Sequence, residues 1–281
     1  MKQTVAAIAA ALSASGSDTA HADARYLVQG ILEIDAAALL RDPDRAIGAR
    51  APQLEAAVLR RLGHEPVSRI LGQREFYGRV FKVTPGVLDP RPDTETLIDL
   101  VLEIVGAEGR HDDALTIADI GCGSGAIIVT LLAALPRAAG VAIDVSPAAL
   151  AVTRGNAATH GVADRLKTVE TRGLCGINDH LDIIVSNPPY IPTGEITGLD
   201  AGVRDFDPML ALDGGVDGLQ IYREIANNIR ALQKPCWICL EIGAGQHDAV
   251  ERIFEAIGAV ARHRRIDLGG HIRAVALKIH C

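Results

Sequence analysis

The residues of this chain best suited to recognising a polar substrate stand side by side: Asn187, Pro188, Pro189 and Tyr190, within Leu-Asp-Ile-Ile-Val-Ser-Asn-Pro-Pro-Tyr-Ile-Pro, residues 181–192. Asn187 offers a side-chain carbonyl, Pro188 a main-chain carbonyl and Tyr190 an aromatic face, a set that suits a planar group carrying an NH2. Consecutive prolines stiffen the backbone, and having no N–H they leave its carbonyls free as acceptors. Leu181 and the run 183–185 are apolar and β-branched, which predicts a buried strand ending near Ser186, where the prolines stop the ladder. Asn187 then sits at a strand's carboxyl end, the edge at which open parallel α/β sheets bind ligands. A proline-terminated strand with a turn asparagine is the purely structural reading of the same residues.

A second group lies upstream. Residues 116–120 read as a strand, followed by Gly121-Cys122-Gly123-Ser124-Gly125 and a helix beginning near Ala126. Glycines there permit positive φ and close backbone approach, and the helix N-terminus faces whatever lies over the loop. A further strand over 140–145 places Asp144 near its end, about 20 residues on, where a carboxylate can accept from ribose hydroxyls. Ser146 and Pro147 supply an N-cap and a first-turn proline for the next helix, which leaves Asp144 for ligand work. This loop alone is compatible with a dinucleotide, since Gly121-x-Gly123-x-x-Ala126 meets the loose fingerprint, or with S-adenosylmethionine.

The elements that must position these residues follow from texture and composition. At 281 residues, 48% of them hydrophobic, the chain can bury a sizeable core in one to two domains. A net charge of −7 with 3% aromatics disfavours direct contact with nucleic acid. Five scattered cysteines (122, 175, 236, 239, 281) fit reduced thiols in a cytoplasmic protein. Cys236 and Cys239 have redox or zinc-like spacing, but they fall in a run that reads as a strand, where residues three apart face opposite sides; no metal site is expected. Lys2 with the apolar run 5–12 has a weak likeness to a secretory leader, yet the run also reads as a helix, and that is the expectation here. Helical spacing continues through Tyr26, Leu27, Ile31 and Leu32 and through Leu54, Val58, Leu59 and Leu62. We expect a helical domain over 1–73, a β-hairpin and linker over 74–93, with strands around Gly78 and prolines in 85–92, and alternating strands and helices over 94–281. No apolar run reaches the ~20 residues needed to span a bilayer.

Asp119, Gly121, Asp144 and the Asn-Pro-Pro-Tyr tip together resemble the Rossmann-like methyltransferases that act on amino or amide nitrogen. Phe76, Leu88, Pro90-Arg91-Pro92 with Thr94-Glu95, Ala211-Leu212 with Gly214-Gly215, Asp217-Gly218-Leu219 and Glu241-Ile242-Gly243 narrow the likeness. They are similar to the glutamine N5-methyltransferases of peptide-chain release factors, the PrmC/HemK type. The resemblance implies a Rossmann-like class I S-adenosylmethionine-dependent methyltransferase domain of α/β class, with a small N-terminal helical domain for substrate recognition and a connecting β-hairpin. It also implies S-adenosylmethionine held by Asp119, Gly121, Cys122, Gly123, Ser124, Gly125, Asp144 and Asn187. Asn187, Pro188, Pro189 and Tyr190 would meet the glutamine, with Asn187, Pro188 and Tyr190 catalytic, and class I release factors would be the partners. Asn-Pro-Pro-Tyr is shared with enzymes of adenine N6 and guanine N2, so a nucleic-acid amino-methyltransferase is the alternative. Departures from the family pattern are Asp93 and Asp207, where Glu is frequent, and Arg69, where an aromatic is common. Counting back from Asn187 puts Arg172 at the adenine position; a guanidinium can stack there, and an ordinary loop arginine is the other reading.

Overall fold

The computed structural model describes residues 1–177, 180–230 and 236–279, which form two compact units. The first comprises Met1–Gln73 together with Asp200–Phe206. It contains α1 (Lys2–Ala14), α2 (Ala20–Leu32), α3 (Ala36–Arg41), α4 (Ala51–Leu62) and α5 (Val67–Leu71). Its core is made by Ile8, Leu12, Leu27, Val28 and Leu54, so the alanine-rich run 5–12 folds as a domain helix. Two residues of the helical pattern, Tyr26 and Leu59, face solvent, because the buried stripe of α2 runs through Ala24, Leu27 and Val28. Asp35 caps α3 by accepting from the Ala38 N–H at 2.6 Å, and Gly72 at φ 70° ends α5 in the left-handed conformation that glycine adopts without strain.

The second unit starts at Arg74, within the first strand of a hairpin made by β1 (Gln73–Phe76) and β2 (Arg79–Lys82). Tyr77 and Gly78 between them have φ of 50° and 68°, the pair of left-handed residues that a two-residue turn between right-twisted strands requires. Two hydrogen bonds hold Tyr77 in that conformation: its N–H donates to Glu95 and its hydroxyl to Asp99, both at 2.8 Å. Then come α6 (Glu95–Ala107), β3 (Thr116–Ile120), α7 (Ala126–Ala134), β4 (Ala139–Asp144), α8 (Pro147–Thr159), β5 (Leu166–Glu170) and β6 (Ile183–Ser186). The short α9 (Ala201–Arg204) groups with the first unit, after which α10 (Gln220–Arg230), β7 (Cys236–Glu241), α11 (His247–Glu255), β8 (Ala259–Ile266) and β9 (Ile272–Ile279) complete the second.

β3 to β9 form one sheet in the order β5-β4-β3-β6-β7-β9-β8, parallel except for β9, which runs against both of its neighbours. Two hydrophobic clusters cover its faces. Ile183, Val185 and Cys239 pack with α6 and α7, while Ile184, Cys236 and Ile238 pack with α10 and α11. Both faces being covered explains why the central strands read as continuous apolar runs. Cys236 and Cys239 thus lie buried on opposite faces and are both thiols, as are Cys122 and Cys175; Cys281 lies outside the described residues. The chain winds outward from β3 through β4 to β5, then resumes on the other side of β3 at β6. The carboxyl ends of β3, β4 and β6 therefore flank the switch in strand order, the place where such sheets leave a crevice. Among the described residues no helix is long and apolar enough to cross a membrane.

Candidate active site

The glycine loop after β3 is tied down on its own backbone. The N–H groups of Gly121 and Cys122 donate to the Ile143 carbonyl at 2.8 and 3.0 Å, and that of Gly125 to the Cys122 carbonyl at 2.7 Å. Gly121 and Gly123 have φ of 74° and 54°, and a Cβ on either would meet nothing within 4 Å, so the surface above them is open. Gly125 differs: a Cβ there would stand 2.8 Å from Thr153 Cγ2, so this glycine lets the loop pack on α8. Asp144 ends β4 with both carboxylate oxygens in use, accepting from the Gly123 N–H at 3.0 Å and the Ser146 N–H at 2.9 Å. Ser146 does cap α8, accepting from the Ala149 N–H at 3.2 Å. The sequence reading of a carboxylate left free by that cap is corrected: Asp144 also staples the loop, which fixes the orientation of its remaining lone pairs.

At the tip of β6, Asn187 donates its Nδ2 to Thr94 Oγ1 at 3.2 Å, and among the described residues neither its Oδ1 nor the Pro188 carbonyl receives a hydrogen bond. Pro188 is buried and Tyr190 half-buried. The Tyr190 hydroxyl faces Glu241 Oε1 at 3.5 Å, and its carbonyl accepts from Gln246 Nε2 at 3.0 Å. A strap over 211–219 holds the tip from the other side. The Ile191 N–H donates to the Leu212 carbonyl at 3.1 Å, the Gly214 N–H to the Ile191 carbonyl at 2.8 Å and the Thr193 N–H to the Gly215 carbonyl at 2.9 Å. The approach demands glycine: a Cβ on Gly218 would stand 2.4 Å from the Tyr190 carbonyl oxygen, one on Gly214 2.9 Å from the Pro189 oxygen, and one on Gly243 3.1 Å from the Tyr190 ring.

A cavity of about 390 Å³ opens over these elements. Gly121, Gly123, Asp144, Arg172, Asn187 and Pro189 line it, with Ile120, Ile143, Val145 and Ala149 as an apolar shelf. Asp119, Cys122, Ser124, Gly125, Pro188 and Tyr190 do not line it. Asp119 is wholly buried beneath the loop, and burial, reinforced by Asp144, pushes its carboxyl up to about 7. Arg172 reaches the wall, but its guanidinium is committed to Glu224 in a two-pronged pair at 2.9 and 2.8 Å.

Several wall residues were not read as part of the site. Gly86, Val87 and Leu88, read as linker, form one side, and Pro208 to Ala211 another, Leu88 and Ala211 having been noted only for the family likeness. Asp207, buried, ion-pairs with Arg91 and accepts from the Asp89 N–H at 3.4 Å, so the aspartate that replaces the frequent glutamate still anchors the linker. Glu241 was noted only as part of a motif. It is buried, and desolvation lifts its carboxyl to about 7 against the pull of Thr94 and Arg273. Burial and the Glu241 charge push the Tyr190 phenol up to about 12, so it stays protonated.

Comparison with known proteins agrees with this geometry. Residues 3–72 match the family model described as PrmC N-terminal domain, and residues 99–201 the one described as Methyltransferase small domain. A release factor glutamine methyltransferase of Cereibacter sphaeroides is 43% identical over 270 residues, covering 95% of this chain and 94% of its own. That of Bradyrhizobium diazoefficiens is 41% identical over 274 residues, covering 96% and 92%. Among solved structures, the hMettl16 catalytic domain in complex with MAT2A 3'UTR hairpin 6 has a TM-score of 0.58 at 15% identity, covering 82% of this chain and 81% of that one, a likeness of fold. With relatives of this identity along nearly its whole length, and with the class I methyltransferase sheet carrying the Asn-Pro-Pro-Tyr tip beside the glycine loop, the chain belongs to the release factor glutamine methyltransferase family.

Proposed function

We propose that this chain, an S-adenosylmethionine-dependent methyltransferase of release factor glutamine, methylates the side-chain amide nitrogen of the Gly-Gly-Gln glutamine in class I release factors, with Asn187 as the principal acceptor. The observation that carries this is the orientation of the Asn187 amide, whose NH2 donates to Thr94 while Oδ1 is left to accept. The cavity fits the cofactor: two positive-φ glycines with open space above them, a carboxylate fixed by two backbone N–H groups, and an apolar shelf. Gly121 and Gly123 would allow close approach of its backbone-facing end, and Asp144 would accept from its ribose hydroxyls. When bound, the cofactor supplies an electrophilic methyl on a sulfonium.

The chain's own residues have to do the rest by positioning, because an amide nitrogen is a poor nucleophile and no side chain at the tip can deprotonate it. Asn187 Oδ1 and the Pro188 carbonyl would accept its two N–H bonds and turn the nitrogen toward the crevice. These fixed acceptors also stabilise positive charge growing on that nitrogen, a preorganised electrostatic contribution. Tyr190, clamped by Gln246, Glu241 and Gly243, walls the amide plane, and Pro189 stiffens the turn. Asp119, Cys122, Ser124 and Gly125 would support the cofactor from beneath the loop, and Arg172 would flank the adenine while paired to Glu224. We assign the helical unit the role of gripping the release factor, with the cytoplasm as the place of action. The nucleic-acid alternative is not favoured, since the whole-chain relatives are protein glutamine methyltransferases.

The test is incubation with labelled S-adenosylmethionine and a release factor, wild type or with the Gly-Gly-Gln glutamine replaced. Label is expected on the wild-type factor alone; equal labelling of both would overturn the assignment of the target.

A further inference from the structure

Arg172, on the loop after β5, gives its Nε and Nη2 to the two carboxylate oxygens of Glu224 on α10 at 2.9 and 2.8 Å, and both residues line the cavity. We propose that Glu224 is the positioning residue of the adenine end: through this fork it holds the Arg172 guanidinium as a flat wall against which the cofactor's base stacks. This deepens the function proposed above and rests on the reading that S-adenosylmethionine occupies the cavity with its ribose at Asp144.

The strand register puts Arg172 where a base would lie. Asp144 pairs with Glu170 across β4 and β5, and the Thr171 N–H donates to the Asp144 carbonyl at 3.2 Å, so Arg172 leaves the sheet beside the residues that follow Asp144. The first of these, Val145, is exposed on the apolar shelf of the cavity. A base carried on a ribose at Asp144 would then fall between an aliphatic side chain and the guanidinium. The loop is seated on α10 at two further points. Gly173, at φ 61°, lies so close that a Cβ on it would stand 2.9 Å from Asn228 Oδ1, and the Leu174 N–H donates to the same oxygen at 3.1 Å.

Glu224 is itself held on both sides. Gln220, Glu224 and Asn228 stand four residues apart and share one face of α10. Gln220 Nε2 donates to Glu224 Oε1 at 3.1 Å, and Asn228 Nδ2 to the Glu224 main-chain carbonyl at 2.6 Å. The Arg172 side chain is 69% exposed, and an ion pair so exposed adds little to stability; what it supplies is geometry. A guanidinium forked on a carboxylate keeps both of its π faces and has its plane fixed. Without Glu224 the same side chain would move through many rotamers, and a base stacking on it would have to immobilise it, which weakens binding. In this scheme Arg172 touches the cofactor and Glu224 acts through Arg172.

The test is calorimetric titration of the full-length protein with S-adenosylhomocysteine, which reads binding apart from turnover. Arg172→Ala is expected to weaken binding roughly 3- to 30-fold, the range for a cation over a ring, and Arg172→Lys, which keeps the charge without the plane, to fall almost as far. Glu224→Gln gives most of the same loss. The double variant Arg172→Ala/Glu224→Gln binds no more weakly than Arg172→Ala, the non-additivity of residues that act through one contact. The urea midpoint of each variant matches wild type, because the pair is exposed. The Arg172 Nε–H resonance, assigned by its disappearance in Arg172→Lys, moves on titration of wild type with S-adenosylhomocysteine, and in Glu224→Gln it lies where a solvated arginine's does. Wild-type affinity in Glu224→Gln or Arg172→Lys, additive losses in the double variant, a lowered urea midpoint in Glu224→Gln, or an Nε–H that the titration does not move would overturn the proposal. Asp144→Ala separates the two levels. If it binds S-adenosylhomocysteine as tightly as wild type, the placement of the cofactor fails, whereas if it binds more weakly while the Arg172 and Glu224 results are negative, only the role of Glu224 fails.

Discussion

Replacing Asn187 probes the proposed chemistry directly. Asn187→Ala deletes Oδ1, the proposed acceptor, together with the Nδ2 bond to Thr94. That bond is one neutral contact beside a half-buried residue, worth about 0.5–1.5 kcal/mol to the fold, so the variant should fold, and its backbone stays pinned by the strap and Gln246. The loss at the transition state is larger. An acceptor aimed at developing charge is worth ~3–4 kcal/mol, which is a fall in turnover of roughly 100- to 1000-fold. Asn187→Asp is the sharper variant. Judged on the side chain alone it retains an acceptor and belongs between wild type and alanine. In the structure, however, Asn187 donates Nδ2 to the Thr94 hydroxyl, and an aspartate has no N–H to give there and brings a charge into a half-buried site, so one of its oxygens turns to accept from Thr94 and the substrate-facing geometry is lost. The aspartate variant should therefore be nearly as slow as alanine near neutral pH. Single-turnover transfer to a release factor, with calorimetry for cofactor binding and circular dichroism for folding, measures each quantity. Near-wild-type transfer by Asn187→Ala would refute the reasoning and leave the tip a structural turn.

Four other outcomes are expected. Asp144→Ala should weaken S-adenosylmethionine binding by ~1.5–3 kcal/mol in calorimetry and, because Gly123 and Ser146 lose their acceptor, lower the urea midpoint as well. Gly218→Ala places a Cβ 2.4 Å from the Tyr190 oxygen at φ 71° and should cost about 1–3 kcal/mol of stability in chemical denaturation. Asp119 has its carboxyl raised from 3.8 to about 7 by burial; a folded value above the unfolded one gives stability that is complete below about pH 4 and lost by about pH 7, on the order of 4 kcal/mol. Asp119→Asn should therefore flatten part of the decline in urea midpoint between pH 4 and 7, the rest belonging to Glu241. Deleting residues 1–73 should spare cofactor binding and reduce transfer to an intact release factor; undiminished transfer would give the helical unit another purpose.

Local order in the chain was legible because it rests on near neighbours. The apolar run before Asn187, the glycine loop after β3, Ser146 before Pro147 and the turn at Gly78 each carry their physical reason within a few residues. What could not be read depends on partners far apart in sequence. Thr94 and Asn187 are 93 residues apart, and Tyr190 and Glu241 51, so neither spacing nor hydropathy brings them together. Asp144 was expected to be free because its neighbour is the cap; its two backbone donors arise from loop curvature that no side-chain type announces. Arg172 was weighed as an adenine contact or a loop residue, and the deciding fact is Glu224, on a helix 52 residues away. Residues 85–92 looked like a linker because prolines dominate them, yet Arg91 meeting Asp207 turns that stretch into a wall.

The strap that grips the tip has a consequence for how defects in this enzyme would present. Its backbone bonds and its glycine contacts with Pro189 and Tyr190 come from segments near 191, 214, 218 and 243, so the proposed acceptor pair is assembled when the sheet and its flanking segments assemble. A tip built from the same bonds as the fold is not separately slack or separately formed. Destabilising substitutions in the second unit should accordingly reduce the number of competent molecules and leave the turnover of each survivor unchanged, an inheritance of dosage and not of rate.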